Sequence, residues 1–148
     1  MWGEALVSLK SWAESDIGRK RANNEDAFFH DPDLGLFIVA DGMGGHRGGD
    51  KASKIAIKFA ANTYQTKLAE HLGADRALKY AFLEVAREVF DESLRDVRLR
   101  GMGTTLSGLA ISGDRAFIAH IGDSRIYCLR DNNPVSYTHL TLPTNREV

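Results

Sequence analysis

Five consecutive apolar residues, Leu36-Phe37-Ile38-Val39-Ala40, run directly into Asp41-Gly42-Met43-Gly44-Gly45-His46-Arg47-Gly48-Gly49. A short unbroken apolar run reads as a strand buried on both faces, as in the middle of a covered sheet. The five glycines in the next nine residues read as irregular backbone that turns tightly and lets a ligand approach closely. Together they imply a layered fold in which a buried strand delivers an acidic loop to the surface. Cover for that strand lies just downstream. Ala52, Ile55, Ala56, Phe59, Ala60 and Thr63 fall on one face of a helix, and Leu78, Ala81, Phe82, Val85 and Val89 repeat the pattern after Gly73. Helices are expected near 50–70 and 75–97, with Asp50 and Asp75 as N-caps. They should pack on one face of a sheet built from both halves of the sequence.

The remaining segments read as strands and turns, so the fold class is α+β. Residues 6–12 (LVSLKSW) suit a strand, and Ser15-Asp16-Ile17-Gly18 and Asp31-Pro32-Asp33 suit turns. Thr104–Ile111 is expected as one strand, Ser112-Gly113-Asp114 as a hairpin turn, and Arg115–His120 as the return strand. A third strand, Arg125–Leu129, follows the turn Gly122-Asp123-Ser124, which makes an antiparallel meander.

Several function classes are excluded early. Lys and Arg number 19 against 20 Asp and Glu, a net charge of -1, so a protein that tracks nucleic-acid phosphates is not indicated. No apolar run approaches the ~20 residues that cross a bilayer. The opening MWGEALVSLK has no basic, long-apolar leader pattern. Cys128 stands alone, so neither an internal disulfide nor a thiolate metal site can form, and a reducing cytoplasm is the expected compartment.

The chemistry is expected where carboxylates flank glycines or turns. Asp16, Glu25, Asp26, Asp41 and Asp123 all do so. Oxygen ligands at the ends of a sheet suit hard divalent cations such as Mg2+ or Mn2+. Asp41 follows the apolar strand directly, and Gly42 leaves its own carbonyl unshielded. A turn aspartate is the competing reading of Asp41. Arg21, four residues before Glu25, is suited to a bidentate hold on phosphate, although a plain surface arginine explains it as well. His46 lies in the glycine loop, within reach of a substrate as acid or base; a solvent-facing histidine is the alternative. His30, His71, His120 and His139 have no such context and read as structural. The glycine loop lacks the Gly-Lys-Ser/Thr ending of a P-loop and the G-x-G-x-x-G spacing of a dinucleotide loop. Its leading aspartate would repel a phosphate unless a cation lay between them.

Four segments in order then carry a resemblance. Arg21-Ala22-Asn23-Asn24-Glu25-Asp26-Ala27, Val39-Ala40-Asp41-Gly42-Met43-Gly44-Gly45-His46, Gly103-Thr104-Thr105 and Gly122-Asp123-Ser124-Arg125 resemble the ordered motifs of the type 2C protein phosphatases, in their bacterial style. The resemblance spans residues 7–131. It implies an α-β-β-α sandwich and metal-dependent hydrolysis of phosphoserine and phosphothreonine in proteins. It implies two Mg2+ or Mn2+ ions and a third, weaker site. By motif position Asp41 would bridge the two ions. The Gly42 carbonyl and Glu25 would serve the second ion, and Asp123 the third site. Asp26 would orient water, Arg21 would bind phosphate, and Gly103–Thr105 would hold a strand beside the site. His46 is the candidate general acid, although relatives that use a histidine there place it directly after the Asp-Gly pair, where this chain has Met43. A water activated between two cations would attack phosphorus in line, so no nucleophilic serine or cysteine is needed.

The family pattern continues past this chain. Its later Asp-Gly and Asp-Asn motifs, which complete the first metal site, have no counterpart here. Residues 1–133 are therefore expected to form the N-terminal part of a catalytic domain, and 134–148 an unrelated tail, irregular from 135 onward. The 148-residue chain is expected to be inactive and its parent a monomer acting on phosphoproteins, without nucleic-acid or membrane partners. The alternative is a non-catalytic, phosphatase-like binding or regulatory module.

Overall fold

The computed structural model describes residues 9–44 and 48–136. Strands β1 (Asp26–Asp31) and β2 (Leu36–Met43) form a hairpin, followed by helices α1 (Gly48–Ala69) and α2 (Ala74–Arg95). A 3-10 turn at Val97–Leu99 leads to β3 (Gly103–Thr104), β4 (Leu106–Ser112), β5 (Arg115–Ile121), β6 (Tyr127–Arg130) and β7 (Asn133–Ser136). The main sheet is antiparallel in the order β1-β2-β4-β5, with β3 pairing against the end of β2. Strands β6 and β7 make a separate two-stranded sheet. This is the expected α+β class, with both helices on one face of the sheet.

The helices form because their apolar residues recur with helical spacing, and the core is where those stripes meet the sheet. Ala52, Ala56, Ala60 and Tyr64 of α1 and Leu78, Phe82, Val85 and Val89 of α2 are buried with Leu36, Ile38, Leu106 and Ala110 of the strands. Gly108 in β4 admits the α2 contact: a β-carbon there would lie 2.6 Å from the Phe82 ring. Small residues on α1 let the helices approach closely, and Phe82 fills the space above the sheet. The first residues of both helices differ from expectation. Asp50 and Asp75 lie within the first turn, where a carboxylate still complements the helix dipole. The cap of α2 is Gly73, which has no side chain to donate or accept.

Other expectations are corrected. Strand β2 is buried on one face only. Leu36, Ile38 and Ala40 point to the helices, while Val39 is half-exposed on the far side. The glycine-rich segment is partly regular, since Asp41–Met43 prolongs β2 and Gly48-Gly49 opens α1. Residues 9–12 form no strand, having no ladder partner; Ser11 Oγ instead lies 2.9 Å from His30 Nε2. Residues 6–8 fall outside the described residues. The expected strand 104–111 breaks at Thr105, which faces Asp41 rather than continuing the ladder. The third strand does not extend the meander, because β6 turns back on β7 through Asp131 and Asn132, both left-handed (φ 51° and 60°). That is the geometry of a two-residue type I′ turn. Residues 135 and 136, expected to be irregular, belong to β7, and 137–148 lie outside the described residues.

Candidate metal centre

Five of the expected site residues, Arg21, Glu25, Asp26, Asp41 and Gly42, meet where β1 begins and β2 ends beside the start of α1. Asp26 and Asp41 are direct cross-strand partners in the β1–β2 register. Their carboxylates interact closely, and the Asp26 carboxyl is held above its ordinary value. Burial is the largest cause, followed by the charge and hydrogen bonding of Asp41; Arg21 opposes the shift and Glu25 adds to it. Arg21 Nη1 lies 4.0 Å from Asp41 Oδ1, with both side chains more than half exposed. An ion pair so open to water contributes little to stability, which leaves the guanidinium available to a bound anion.

The backbone holds these groups in place. The Asn24 side chain accepts the Asp26 N–H at 3.0 Å and donates to Ser15 Oγ at 2.9 Å. Glu25 accepts the Gly42 N–H through its carbonyl at 3.1 Å. Gly42 and Gly49 are required by close approach: a β-carbon on Gly42 would collide with the Gly49 carbonyl, and one on Gly49 would lie 2.7 Å from Glu25 Oε1. The Glu25 carboxylate thus rests over the first turn of α1, where a negative charge is favoured. Asp16, Asp26, Asp41 and Ser124 line a cavity of about 280 Å³. A larger one of about 510 Å³ adjoins it on the same face of the sheet, sharing Glu14, Phe28 and Val39 and extending to Tyr127.

The other expected residues fare differently. Asp16 is a turn residue, its Oδ1 accepting the Gly18 N–H at 2.7 Å. Asp123 is exposed on the loop between β5 and β6, near Arg125. His46 lies outside the described residues, as does His139. Among the described residues no three His, Cys, Asp or Glu side chains are grouped so as to hold a cation. The expected convergence of Glu25, Asp41 and Asp123 is therefore not seen among the described residues. The donor set still fits a hard divalent cation: two carboxylates face each other, one retains its proton more readily than usual, and a third lies alongside.

Two hydroxyls that had been assigned no chemistry lie at the centre of this arrangement. The Asp41 N–H donates to Thr105 Oγ1 at 3.0 Å, and the Thr105 N–H donates to the Asp41 carbonyl at 2.9 Å. Thr105 Oγ1 and Ser124 Oγ lie 2.6 Å apart. The only sequence signals were a threonine closing Gly103-Thr104-Thr105 and a serine directly after Asp123.

Comparison with known proteins points to one family. The sequence profile described as protein phosphatase 2C matches residues 17–148. The chain is 38% identical over 119 residues to protein phosphatase PhpP of Streptococcus pneumoniae, covering 78% of this chain and 48% of that protein. It is 39% identical over 132 residues to the serine/threonine protein phosphatase PstP of Mycobacterium tuberculosis, covering 88% of this chain and 24% of PstP. The crystal structure of the PstP catalytic domain in complex with two manganese ions matches with a TM-score of 0.72 at 36% identity, over 83% of this chain and 52% of that one. The chain thus spans about half the length of PhpP and a smaller share of PstP. No helix among the described residues is long and apolar enough to cross a membrane. The ordered motifs, the shared fold and the profile match over most of its length make this chain a member of the protein phosphatase 2C family.

Proposed function

We propose that this chain carries one side of the centre of a metal-dependent phosphoserine/phosphothreonine protein phosphatase. The observation that carries the reading is the Asp26–Asp41 pair beside Arg21 at the end of β2. Opposed carboxylates are costly without a cation, and an exposed guanidinium next to them suits a phosphate. Asp41, the Gly42 carbonyl and Glu25 would hold divalent cations, with Asp123 serving a further site. Mg2+ and Mn2+ both suit these ligands, and Mn2+ is the ion bound in the PstP structure. Bound cations would supply an activated water for in-line attack on phosphorus. Arg21 would bind and orient the phosphoryl oxygens, and Asp26, with its elevated carboxyl value, would orient water as a hydrogen-bond partner. His46 is retained as a candidate acid. Phosphoproteins are the proposed substrates, the cytoplasm the proposed compartment and a monomer the proposed state.

The 148-residue chain by itself is proposed to be inactive. Its described residues do not surround a cation, and Mg2+ in particular would remain largely hydrated. Residues 134–148 are proposed to be foreign to the domain, although 134–136 pair with β6 and the family match runs through them; the gene sequence of an unbroken genomic copy would test this. For the catalytic reading, the assay is phosphate release from a phosphothreonine peptide with Mn2+, using a chain as long as PhpP that contains these residues. Asp41→Ala should abolish turnover, and Arg21→Ala should raise KM about tenfold or more, the loss expected for a charge-assisted contact. Near-normal turnover in Asp41→Ala would remove the assigned centre. A non-catalytic binding module would instead bind phosphopeptide without releasing phosphate.

A further inference from the structure

Thr105 is buried at 7% exposure in the gap between β3 and β4, and its bonds run to two different parts of the site. Its backbone N–H and its hydroxyl grip the two backbone polar groups of Asp41, at 2.9 Å and 3.0 Å. The same hydroxyl lies 2.6 Å from Ser124 Oγ, beside Asp123. Because Thr105 Oγ1 already accepts the Asp41 N–H, its own proton is best directed to Ser124. The loop holding Asp123 is pinned a second time. His120 is buried at 5% exposure, with Nδ1 2.7 Å from Ser107 Oγ and Nε2 2.9 Å from the Gly122 carbonyl. A neutral imidazole satisfies both contacts by accepting from Ser107 and donating to Gly122. Gly122 itself packs against Thr105: a β-carbon there would lie 2.8 Å from Thr105 Cγ2. The chain leaves Thr105 through β4, returns through the antiparallel β5 and comes back against Thr105 at Gly122.

We propose that Thr105 is a positioning residue whose hydroxyl, held between the Asp41 amide and Ser124, sets the position of the Asp123 loop relative to the Asp41 carboxylate. This rests on the metal-centre reading above. Without the hydroxyl, the end of β2 and the Asp123 loop would each still fold, but their spacing would no longer be fixed. Valine is close to threonine in shape and cannot accept the Asp41 N–H, whereas serine can.

The test is Mn2+ binding to a chain as long as PhpP that contains these residues, titrated into the millimolar range and followed by the electron paramagnetic resonance signal of free Mn2+. Thr105→Val should weaken binding about tenfold, the factor that one buried hydrogen bond is worth, and Thr105→Ser should stay within about twofold of the parent. Ser124→Ala, at a half-buried loop position outside any strand, should weaken binding severalfold without unfolding the chain. It decides the matter if Thr105→Val does not fold. The double variant should be no weaker than Thr105→Val, because both remove one shared bond. Parent-like affinity in Ser124→Ala and in folded Thr105→Val would overturn the proposal while leaving the metal centre standing. Binding that is absent in the parent, or that survives Asp41→Ala, would remove the metal centre and this inference with it.

Discussion

At the scale of single residues, the Asp26–Asp41 pair sets a conflict that a cation would resolve. The Asp26 carboxyl is raised above 3.8 by burial and by Asp41, so the fold binds its proton more tightly than the unfolded chain does. Its favourable contribution is therefore complete below about pH 3.8 and is lost as pH rises through the elevated folded value. Asp26→Asn should raise the melting temperature of the metal-free chain at pH 7 by about 2 °C, with the gain vanishing below about pH 3.8. Thermal melts at the two pH values without and with Mn2+ check this, and the order of stability should reverse when Mn2+ is present. A destabilising effect at pH 7 without metal would show that Asp26 serves the fold instead. Asp41 was legible in the sequence because local pattern places it: an apolar strand ends and a glycine follows. Thr105 was legible only through the resemblance, as part of a segment holding a strand beside the site; its bond to Asp41 joins residues 64 apart, and no local spacing records that.

At the scale of elements, the helices were legible and the strand partners less so. Helical periodicity is written within each segment, so both ranges were read to within a few residues, and Phe82 was placed on the buried face of α2. Phe82 is 1% exposed and lies over Gly108, so Phe82→Ala should cost about 3–5 kcal/mol, measurable by urea unfolding. Little loss would mean that α2 does not pack on β4. Strand pairing is a non-local property. Residues 9–12 have strand-like composition and no ladder to join, and β6 was assigned to the wrong neighbour. The Asp131-Asn132 pair is a hairpin signal, and its two left-handed residues send β6 back on β7. A local electrostatic feature also fixes the end of α2. Asp96 accepts the Arg98 N–H at 2.9 Å and pairs with its guanidinium, which brings its carboxyl down to about 2. That contribution is present above about pH 3.8 and is lost as pH falls through about 2.

At the scale of the molecule, the two faces of the sheet are unequal. The helices bury one face in a continuous core, while on the other Phe28 and Val39, direct cross-strand partners, are 42% and 51% exposed. Apolar surface this concentrated on a sheet face is a site for association or for hydrophobic probes. The apolar run read as a strand buried on both faces because Leu36, Phe37, Ile38, Val39 and Ala40 are all apolar and carry no alternation, whereas the structure buries only one face. The 148-residue chain should therefore bind anilinonaphthalene sulfonate while retaining near-ultraviolet circular dichroism, which separates an exposed native face from a loosened core. Val39→Thr combined with Phe28→Thr should reduce the fluorescence enhancement by about half or more, keep the strand propensity of both positions, and leave the helix-facing core untouched. If the enhancement were unchanged, the dye would be reporting a loosened helical core instead, and the packing of α1 and α2 on the sheet would be the part of the fold in error.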